Sequence, residues 1–246
     1  MLVLLPPSEG KTAPAAGAPV DLAALAFAAE LTESRRKLLG ALAALGRAPL
    51  KRAVATLALS PGQASEVAVD AALEEAPAAP AADVYSGVLY DHLGLAKLPA
   101  RGQKQVLIAS ALWGIVRPAD RIPYYRLSMK AKPAKIGPLA KFWREALAAA
   151  LPDEEGELVV DMRSGAYAAA WKPKRATLLA VRAFSEEGGV RKPISHMAKA
   201  VRGDVAKVLL AAKKAPNDPE SAAALAESAG FMVGLSPGFM DVIVDR

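Results

Sequence analysis

The sequence predicts a single α/β domain in which a mixed sheet is surrounded by helices. Three apolar runs, at 105–110, 157–162 and 177–184, have the continuous hydrophobic character of strands that are buried on both faces. Helical stretches lie between these runs, and a hairpin pattern closes the chain. A length of 246 residues is enough for one large core, so we expect residues 1–246 to form one domain.

The N-terminal part begins with a short strand and continues as helices. The run at 2–5 predicts a buried strand, which a double proline ends. A helical pattern at 21–46 follows, with Asp21 as the predicted cap and a predicted break near Thr32. Another helix is predicted at 62–75. Closely spaced prolines then predict that 76–82 is a linker or a surface loop.

Helices and a hairpin account for the remaining elements. The segments 138–151 and 163–171 have helical patterns, and 194–213 has the clearest apolar spacing of i, i+3, i+4 and i+7. Two apolar runs near the C-terminus are separated by Ser-Pro-Gly at 236–238. This arrangement predicts a hairpin over 231–245.

Composition excludes several classes of site. The chain has no cysteine, which excludes disulfides, thiolate metal sites and cysteine nucleophiles. It has two histidines, His92 and His196, and no E-x-x-H pair, so we expect no metal site and no cofactor. The first apolar run is only four residues long, and no run approaches the roughly 18 residues of a membrane span. We therefore expect a cytoplasmic protein without a membrane partner.

Positive charge is concentrated in the middle of the chain. Residues 101–214 contain 22 Lys+Arg against 10 Asp+Glu, whereas residues 1–100 have a net charge of −2 and residues 215–246 of −4. The whole chain has a net charge of +6. Such an asymmetry indicates a polyanionic partner, of which nucleic acid is the commonest. The alternative is a solvated basic surface.

The N-terminal stretch "LLPPSEGKT" ends like a phosphate-binding P-loop but does not fit one. A P-loop needs a glycine five positions before its Gly-Lys, and here Leu5 occupies that position relative to Gly10. The two prolines that follow Leu5 have no N–H to offer a phosphate. The stretch instead predicts a loop after a strand that presents Ser8 and Lys11, at a place where α/β proteins often bind ligands.

The segment 110–132, "SALWGIVRPADRIPYYRLSMKAK", combines cations with aromatic residues. Its pattern predicts a helix, a glycine-containing hairpin and a second helix, an arrangement whose free N–H groups bind phosphates of duplex DNA. The fit is partial, because Val116 replaces the second hairpin glycine. The alternative is a basic turn with aromatic residues in the core. The candidate DNA contacts, including two cations of the helix predicted at 194–213, are Gly114, Arg117, Arg121, Arg126, Lys130, Lys132, Lys135, Lys199 and Arg202.

A second hypothesis is an enzyme that acts on a small phosphorylated or nucleobase-like substrate. Ser8, Lys11, Asp161, His196 and Arg126 could converge into one pocket for a small anionic ligand, because several of them come from strand ends or loop starts. DNA binding predicts steep salt dependence, whereas a pocket predicts a salt-insensitive ligand. We expect the first, non-catalytic function.

Several motifs occur in an order that resembles the YaaA family of peroxide stress proteins. They are "LLPPSEGKT", "DVYSGV", "ALWGIVRPADRIPYYRLSM", "FWREAL", "VVDMRSGAY" and "ISHMAKAVRGDVAKVLL". The resemblance implies a single-domain α/β fold and double-stranded DNA binding through a helix-hairpin-helix-like element and a positively charged cleft. It implies a role in limiting oxidative DNA damage and free iron under hydrogen peroxide. Ser8, Lys11, the hairpin at 114–120 with Arg117, and Arg126 match the family's motifs.

Overall fold

The structure is a computed structural model that describes residues 1–188, 190–194 and 197–244. The strands β1 to β10 are Leu2–Leu5, Ala78–Pro80, Val106–Ser110, Gly114–Val116, Arg121–Pro123, Leu158–Asp161, Thr177–Glu187, Val190–Pro193, Met232–Ser236 and Phe239–Val244. The helices α1 to α10 are Ala28–Gly46, Leu50–Leu57, Glu66–Ala71, Ala81–Val84, Val88–Leu93, Ala100–Gln103, Leu139–Ala150, Gly165–Ala168, Ala198–Ala211 and Pro219–Ser228.

The predicted mixed sheet surrounded by helices is confirmed. Its strand order is β4-β3-β1-β6-β7-β10-β9, and β8 pairs with the far end of β7. The five central strands are parallel to one another, whereas β4 and β9 are antiparallel to their neighbours at the two edges. The residues of β3 and β6 are all buried, which explains why their sequences are continuous apolar runs. A small second sheet pairs β2 with β5.

Helices cover the sheet and complete the core. The longest, α1, packs against α3 and α7, and α9 packs against α5, α10 and β7. Within the described residues, no helix has both the length and the apolar character that crossing a bilayer requires.

The helix predicted at 21–46 starts later than expected and is not broken. Residues 22–27 form turns, and α1 begins after Phe27, whose φ is 57°. The predicted break near Thr32 is wrong, because Thr32 lies inside the continuous first turns of α1. Asp21 caps a local turn and not a helix, since its Oδ1 accepts a hydrogen bond from the N–H of Ala23 at 2.9 Å.

The predicted linker at 76–82 is wrong, because this segment is ordered structure. It contains β2, which pairs antiparallel with β5, and the start of α4. The two prolines lie where the backbone tolerates them: Pro77 precedes the strand and Pro80 ends it. Ala78 and Ala81 are fully buried. Proline spacing alone therefore did not distinguish a short strand from a loop.

The later elements agree better with prediction. The helices predicted at 138–151 and 194–213 are α7 and α9, and the C-terminal hairpin is β9 and β10 with Gly238 in the turn at φ 78°. The helix predicted at 163–171 is the short α8, and the one at 62–75 is a 3-10 turn followed by α3. The sequence pattern did not indicate α2, α5 or α10.

The helix-hairpin-helix element is not confirmed. Residues 110–135 contain β4, β5 and turns, and the next helix, α7, begins at Leu139. The Oγ of Ser110 accepts hydrogen bonds from the N–H groups of Leu112 and Trp113, at 3.2 and 2.9 Å, and so turns the chain at the end of β3. The chain then returns as β4 along the edge of β3. A turn between paired strands therefore replaces the expected first helix.

Candidate anion-binding site

A cavity of about 580 Å³ lies at the carboxyl ends of β1 and β6, two adjacent parallel strands at the centre of the sheet. Ligands of open α/β sheets bind at this edge, because the loops that follow parallel strands meet there. Its lining comes from residues 6–11, 57–59, 86–90 and 126–130, from Gln63, from α8 with the preceding Ser164, and from α9.

The lining of this cavity is strongly cationic. Glu9 is its single acidic residue in the part of the chain that the structure describes. Among the same residues, none of the lining cations forms an ion pair with a carboxylate. We call this site the cation-lined cavity, and its five cations are Lys11, Arg126, Lys130, Lys199 and Arg202.

Lys11 is the cation that the surrounding chain fixes most closely. Its backbone forms a β-bridge with Tyr85, and its Nζ donates a hydrogen bond to the carbonyl oxygen of Ser8 at 2.8 Å. The same Nζ lies 4.4 Å from the centre of the Tyr125 ring. Burial lowers the pKa of Lys11 to about 8, and the positive charge of Arg126 acts in the same direction.

A buried chain of hydroxyl groups supports the Tyr125 ring below Lys11. The hydroxyl oxygens of Tyr85 and Tyr125 are 2.8 Å apart, and the Tyr125 hydroxyl is also 2.8 Å from the Oγ of Ser110. Burial raises the pKa of both phenols, so they remain protonated at neutral pH. The ring is therefore held rigidly, and it positions the lysine amine above it.

Arg126 is anchored through its backbone and at one side-chain nitrogen. Its N–H donates to Oδ1 of Asp70 at 2.7 Å, and its Nη1 donates to the carbonyl oxygen of Glu9 at 2.8 Å. Burial raises the pKa of Asp70 to about 7, so this carboxyl is partly protonated at neutral pH. Sequence reasoning missed Asp70. It lies three residues from both Val67 and Leu73, which are buried, and an acidic residue in such an apolar stripe was the available signal.

Helix α9 contributes Lys199 and Arg202, which share one helix face because they are three residues apart. Arg202 is partly buried, and its Nε donates to the carbonyl oxygen of Val181 in β7 at 3.2 Å. Burial lowers the pKa of Arg202, but a guanidinium remains charged at neutral pH. Lys199 is exposed.

The structure therefore brings together residues from both sequence hypotheses. Six predicted site residues line the cavity: Ser8, Lys11, Arg126, Lys130, Lys199 and Arg202. Asp161 does not line it, because its two carboxylate oxygens accept hydrogen bonds from Nε and Nη2 of Arg163, each at 2.9 Å. His196 lies outside the described residues.

The remaining predicted DNA contacts do not line the cavity, and three of them have structural contacts. Gly114 is buried at φ 73°, and a Cβ placed on it would lie 2.8 Å from the ring of Trp143. Arg117 donates from Nη1 to the carbonyl oxygen of Lys104 at 3.1 Å, and Arg121 donates from Nη2 to that of Ala78 at 2.6 Å. Gly114 therefore has no exposed N–H for a phosphate, contrary to the hairpin hypothesis.

Two further predicted DNA contacts, Lys132 and Lys135, are exposed outside the cavity. Lys135 adopts a φ of 65° in the loop before α7. With respect to metals, the described residues contain no group of three or more His, Cys, Asp or Glu side chains that could bind an ion.

Comparison with known proteins gives matches over nearly the whole chain. A family model described as peroxide stress protein YaaA matches residues 1–233. A UPF0246 protein of Streptomyces coelicolor is 42% identical over 259 aligned positions, which cover 99% of this chain and 98% of that protein. A UPF0246 protein of Corynebacterium glutamicum is 37% identical with the same coverage. A UPF0246 protein of Ruegeria is 40% identical over 44% of this chain and 47% of its own.

Proposed function

Because this chain belongs to the family of the peroxide stress protein YaaA, we propose that it acts in the peroxide stress response by binding the phosphate backbone of double-stranded DNA at the cation-lined cavity. The observation that carries this proposal is the charge of the lining: five cations against one carboxylate, with no ion pair to the cations among the described residues.

The arrangement of the cations fits a backbone contact. Lys130 and Lys199 are exposed, whereas Lys11, Arg126 and Arg202 are partly buried. The cavity volume of about 580 Å³ is that of a small-ligand pocket, so a duplex would lie across its mouth with a phosphate directed inward. Each phosphate that a cation neutralises releases counterions, which makes the affinity depend steeply on salt. Such contacts do not read base sequence.

The experiment that tests this proposal measures duplex affinity against salt. Fluorescence anisotropy with two short duplexes of unrelated sequence, between about 50 and 200 mM salt, should give similar affinities and a steep log–log slope. The double variant Lys130→Ala, Lys199→Ala should lower that slope by about two. The matched control is Lys132→Ala, Lys135→Ala, which removes two exposed lysines outside the cavity and should leave the slope unchanged. Equal losses in the two variants would contradict the proposal.

The proposed role in oxidative damage follows from the DNA contact. A protein that covers duplex DNA shields it, and we propose that any reduction of free iron is indirect. This part is proposed from composition, since the chain has no cysteine and only two histidines to offer a transition metal. Equilibrium dialysis with ferrous iron is the test, and stoichiometric micromolar binding would contradict an indirect effect.

A second candidate function is an enzyme that acts on a small phosphorylated substrate. It is favoured by the cavity volume and by a partly buried lysine whose pKa is lowered to about 8. Thermal-shift titration with nucleoside monophosphates and sugar phosphates distinguishes the two functions. A ligand that raises Tm at high salt as well as at low salt would favour the enzyme, whereas a salt-dependent shift with duplex DNA favours the first proposal.

A further inference from the structure

Lys11 differs chemically from the arginines of the cation-lined cavity. A guanidinium remains protonated in proteins, whereas a lysine amine that loses its proton becomes a nucleophile. The Nζ of Lys11 belongs to the cavity lining and is fixed by the carbonyl oxygen of Ser8 at 2.8 Å and by the Tyr125 ring. The cavity thus presents a positioned primary amine among groups that attract phosphate.

We infer that Lys11 is a covalent binding site for a phosphate-bearing aldehyde, with Nζ forming an imine to the aldehyde carbon while the neighbouring cations hold the phosphate. The inference deepens the proposed function, since it assigns the phosphate to the same cations. Of these cations, Arg126 is the one whose charge lowers the pKa of Lys11. Lys130, Lys199 and Arg202 are the other cations of the lining that would bind the phosphate.

The reaction needs no oxidant, reductant or further reactant. The lone pair of the neutral amine adds to the carbonyl carbon, and one amine proton passes to the carbonyl oxygen to give a carbinolamine. That oxygen then leaves as water with the second amine proton, and a carbon–nitrogen double bond remains. One aldehyde and one amine therefore give one imine and one water.

The surroundings of Lys11 give it a larger fraction of neutral amine than an ordinary lysine has. Burial is the largest effect, and it lowers the pKa of Lys11 to about 8, so about one amine in ten is neutral at pH 7. Arg126 lowers the pKa of Lys11 further, while the carboxylates of Asp70, Glu9 and Glu66 oppose that effect. Raising the pH from 6 to 8 should therefore increase imine formation with the same profile as deprotonation of the amine.

Two sources supply an aldehyde next to a phosphate. One is the open-chain deoxyribose of an abasic site in DNA, which has phosphates on both sides. The other is a free sugar phosphate. The cavity accepts the chemistry that they share, and the test below separates them by using each in its own arm.

The test traps the imine by reduction. The full chain is incubated at pH 7 with sodium cyanoborohydride in three separate arms. The first contains a duplex with one abasic site, the second contains the same duplex without the abasic site, and the third contains 2-deoxyribose 5-phosphate. Mass spectrometry of the peptides then locates the secondary amine. We expect labelling at Lys11 at least about tenfold above any other lysine, because an ordinary lysine has far less neutral amine at pH 7.

The variants and competitors make the result decisive. Lys11→Arg should abolish the labelling, and Lys132→Arg, which replaces an exposed lysine outside the cavity, should not change it. If Lys11→Arg fails to fold, competition by inorganic phosphate in the natural protein gives the second measurement, and it should reduce the labelling. Labelling spread over surface lysines, unaffected by phosphate, or absent from both aldehyde arms would overturn the inference.

The same samples keep this inference separate from the proposed function. Anisotropy of the intact duplex reports duplex binding alone. Salt-dependent binding without an adduct refutes the role of Lys11 and leaves DNA binding standing. An adduct with the free sugar phosphate, together with no duplex affinity, supports the imine site and refutes DNA binding.

Discussion

The arginines of the core and the cations of the cavity carry the same charge in different surroundings. The core arginines are enclosed by protein, whereas the cavity cations line an open space. Arg35 in α1 is fully buried, and it donates from Nε to the carbonyl oxygen of Trp113 and from Nη2 to those of Ala26 and Ile115. Arg163 is equally enclosed and is paired with Asp161. Both guanidiniums have a structural role, since they donate hydrogen bonds to buried backbone and carboxylate oxygens.

The cations of the cavity have fewer partners. Arg126 and Arg202 each donate one side-chain hydrogen bond, to a backbone carbonyl oxygen, and among the described residues neither guanidinium forms an ion pair with a carboxylate. Their other N–H groups remain available to an anion. The comparison shows that charge alone does not identify a binding residue. What distinguishes the cavity cations is that their side chains line an open cavity, where an anion could reach their unused donors.

The largest expected effect is at the buried ion pair. Asp161→Asn keeps the shape of the side chain but leaves the Arg163 guanidinium without its counter-charge, which should lower the free energy of unfolding by about 3 kcal/mol or more. The control is Asp241→Asn, whose pair with Arg182 is partly exposed, with side chains 14% and 39% accessible, so its loss should be clearly smaller than that of Asp161→Asn. Urea unfolding measures both. Equal losses would show that the buried pair stabilises the fold no more than the partly exposed pair does.

The next effect tests whether the segment at Gly114 is core or DNA interface. Gly114→Ala should lower the free energy of unfolding by about 3 kcal/mol, because it combines a left-handed φ with a clash against Trp143. Gly137→Ala is the matched control: its φ is 77° but nothing lies near the added Cβ, so about 1 kcal/mol is expected. Duplex affinity of folded Gly114→Ala should be unchanged. A loss of affinity without a loss of stability would restore the hairpin hypothesis.

The elements that sequence predicted best are those whose environment is uniform along the chain. The runs that form β3 and β6 were recognisable because all their residues are buried, as is typical of strands at the centre of a parallel sheet that is covered on both faces. Helices α7 and α9 were recognisable because each packs one stripe on the core. These signals are local and need no knowledge of distant contacts.

Long-range contacts explain the errors. The glycine, arginine and proline around 114–118 resemble a phosphate-binding turn, yet the glycine accommodates the Trp143 ring and Arg117 donates to the carbonyl oxygen of Lys104. Neither contact can be read from the segment itself. Arg35 was missed although it lies in the apolar stripe of α1 with Leu31, Leu38 and Leu42, which was a readable signal.

The candidate site was predicted in pieces. Sequence reasoning placed Lys11 and Arg126 in one possible pocket, but it added Asp161 and His196 to that pocket and assigned Lys130, Lys199 and Arg202 only to DNA binding. The pairing of β1 with β6 places the loop after β1 at the centre of the sheet, where the 126–130 segment and α9 also arrive. The strand order that brings these segments together depends on packing across the whole chain, and no local pattern encodes it.

A smaller effect concerns the cost of keeping a functional lysine partly buried. Lys11→Met should raise the free energy of unfolding at pH 7 by about 1–2 kcal/mol, because burial of the ammonium is unfavourable. The pKa of Lys11 is about 8 in the folded chain and 10.5 in the unfolded chain. The buried ammonium therefore destabilises the natural protein by its full amount below pH 8. This destabilisation disappears as the pH rises through 10.5.

Urea unfolding at pH 7 and above pH 10.5 measures this difference, provided that the natural protein stays folded at the higher pH. Lys132→Met, at an exposed position, should change stability little at either pH. A Lys11→Met variant that is less stable than the natural protein at pH 7 would mean that the contacts of the ammonium with Ser8 and Tyr125 outweigh its burial.

The smallest effect compares two arginines of one segment. Arg126→Gln should lower the log–log salt slope of duplex binding by about one and weaken affinity about fivefold near 0.15 M salt, because one phosphate contact is lost. Arg117→Gln should leave both quantities unchanged, because Arg117 lies outside the cavity lining and its guanidinium contacts the Lys104 carbonyl oxygen and Phe27. The two changes remove the same charge nine residues apart, so long-range attraction to DNA affects them alike. A difference in slope can then come only from direct contact, and equal slopes would mean that DNA responds to the net charge of the chain without using the cavity.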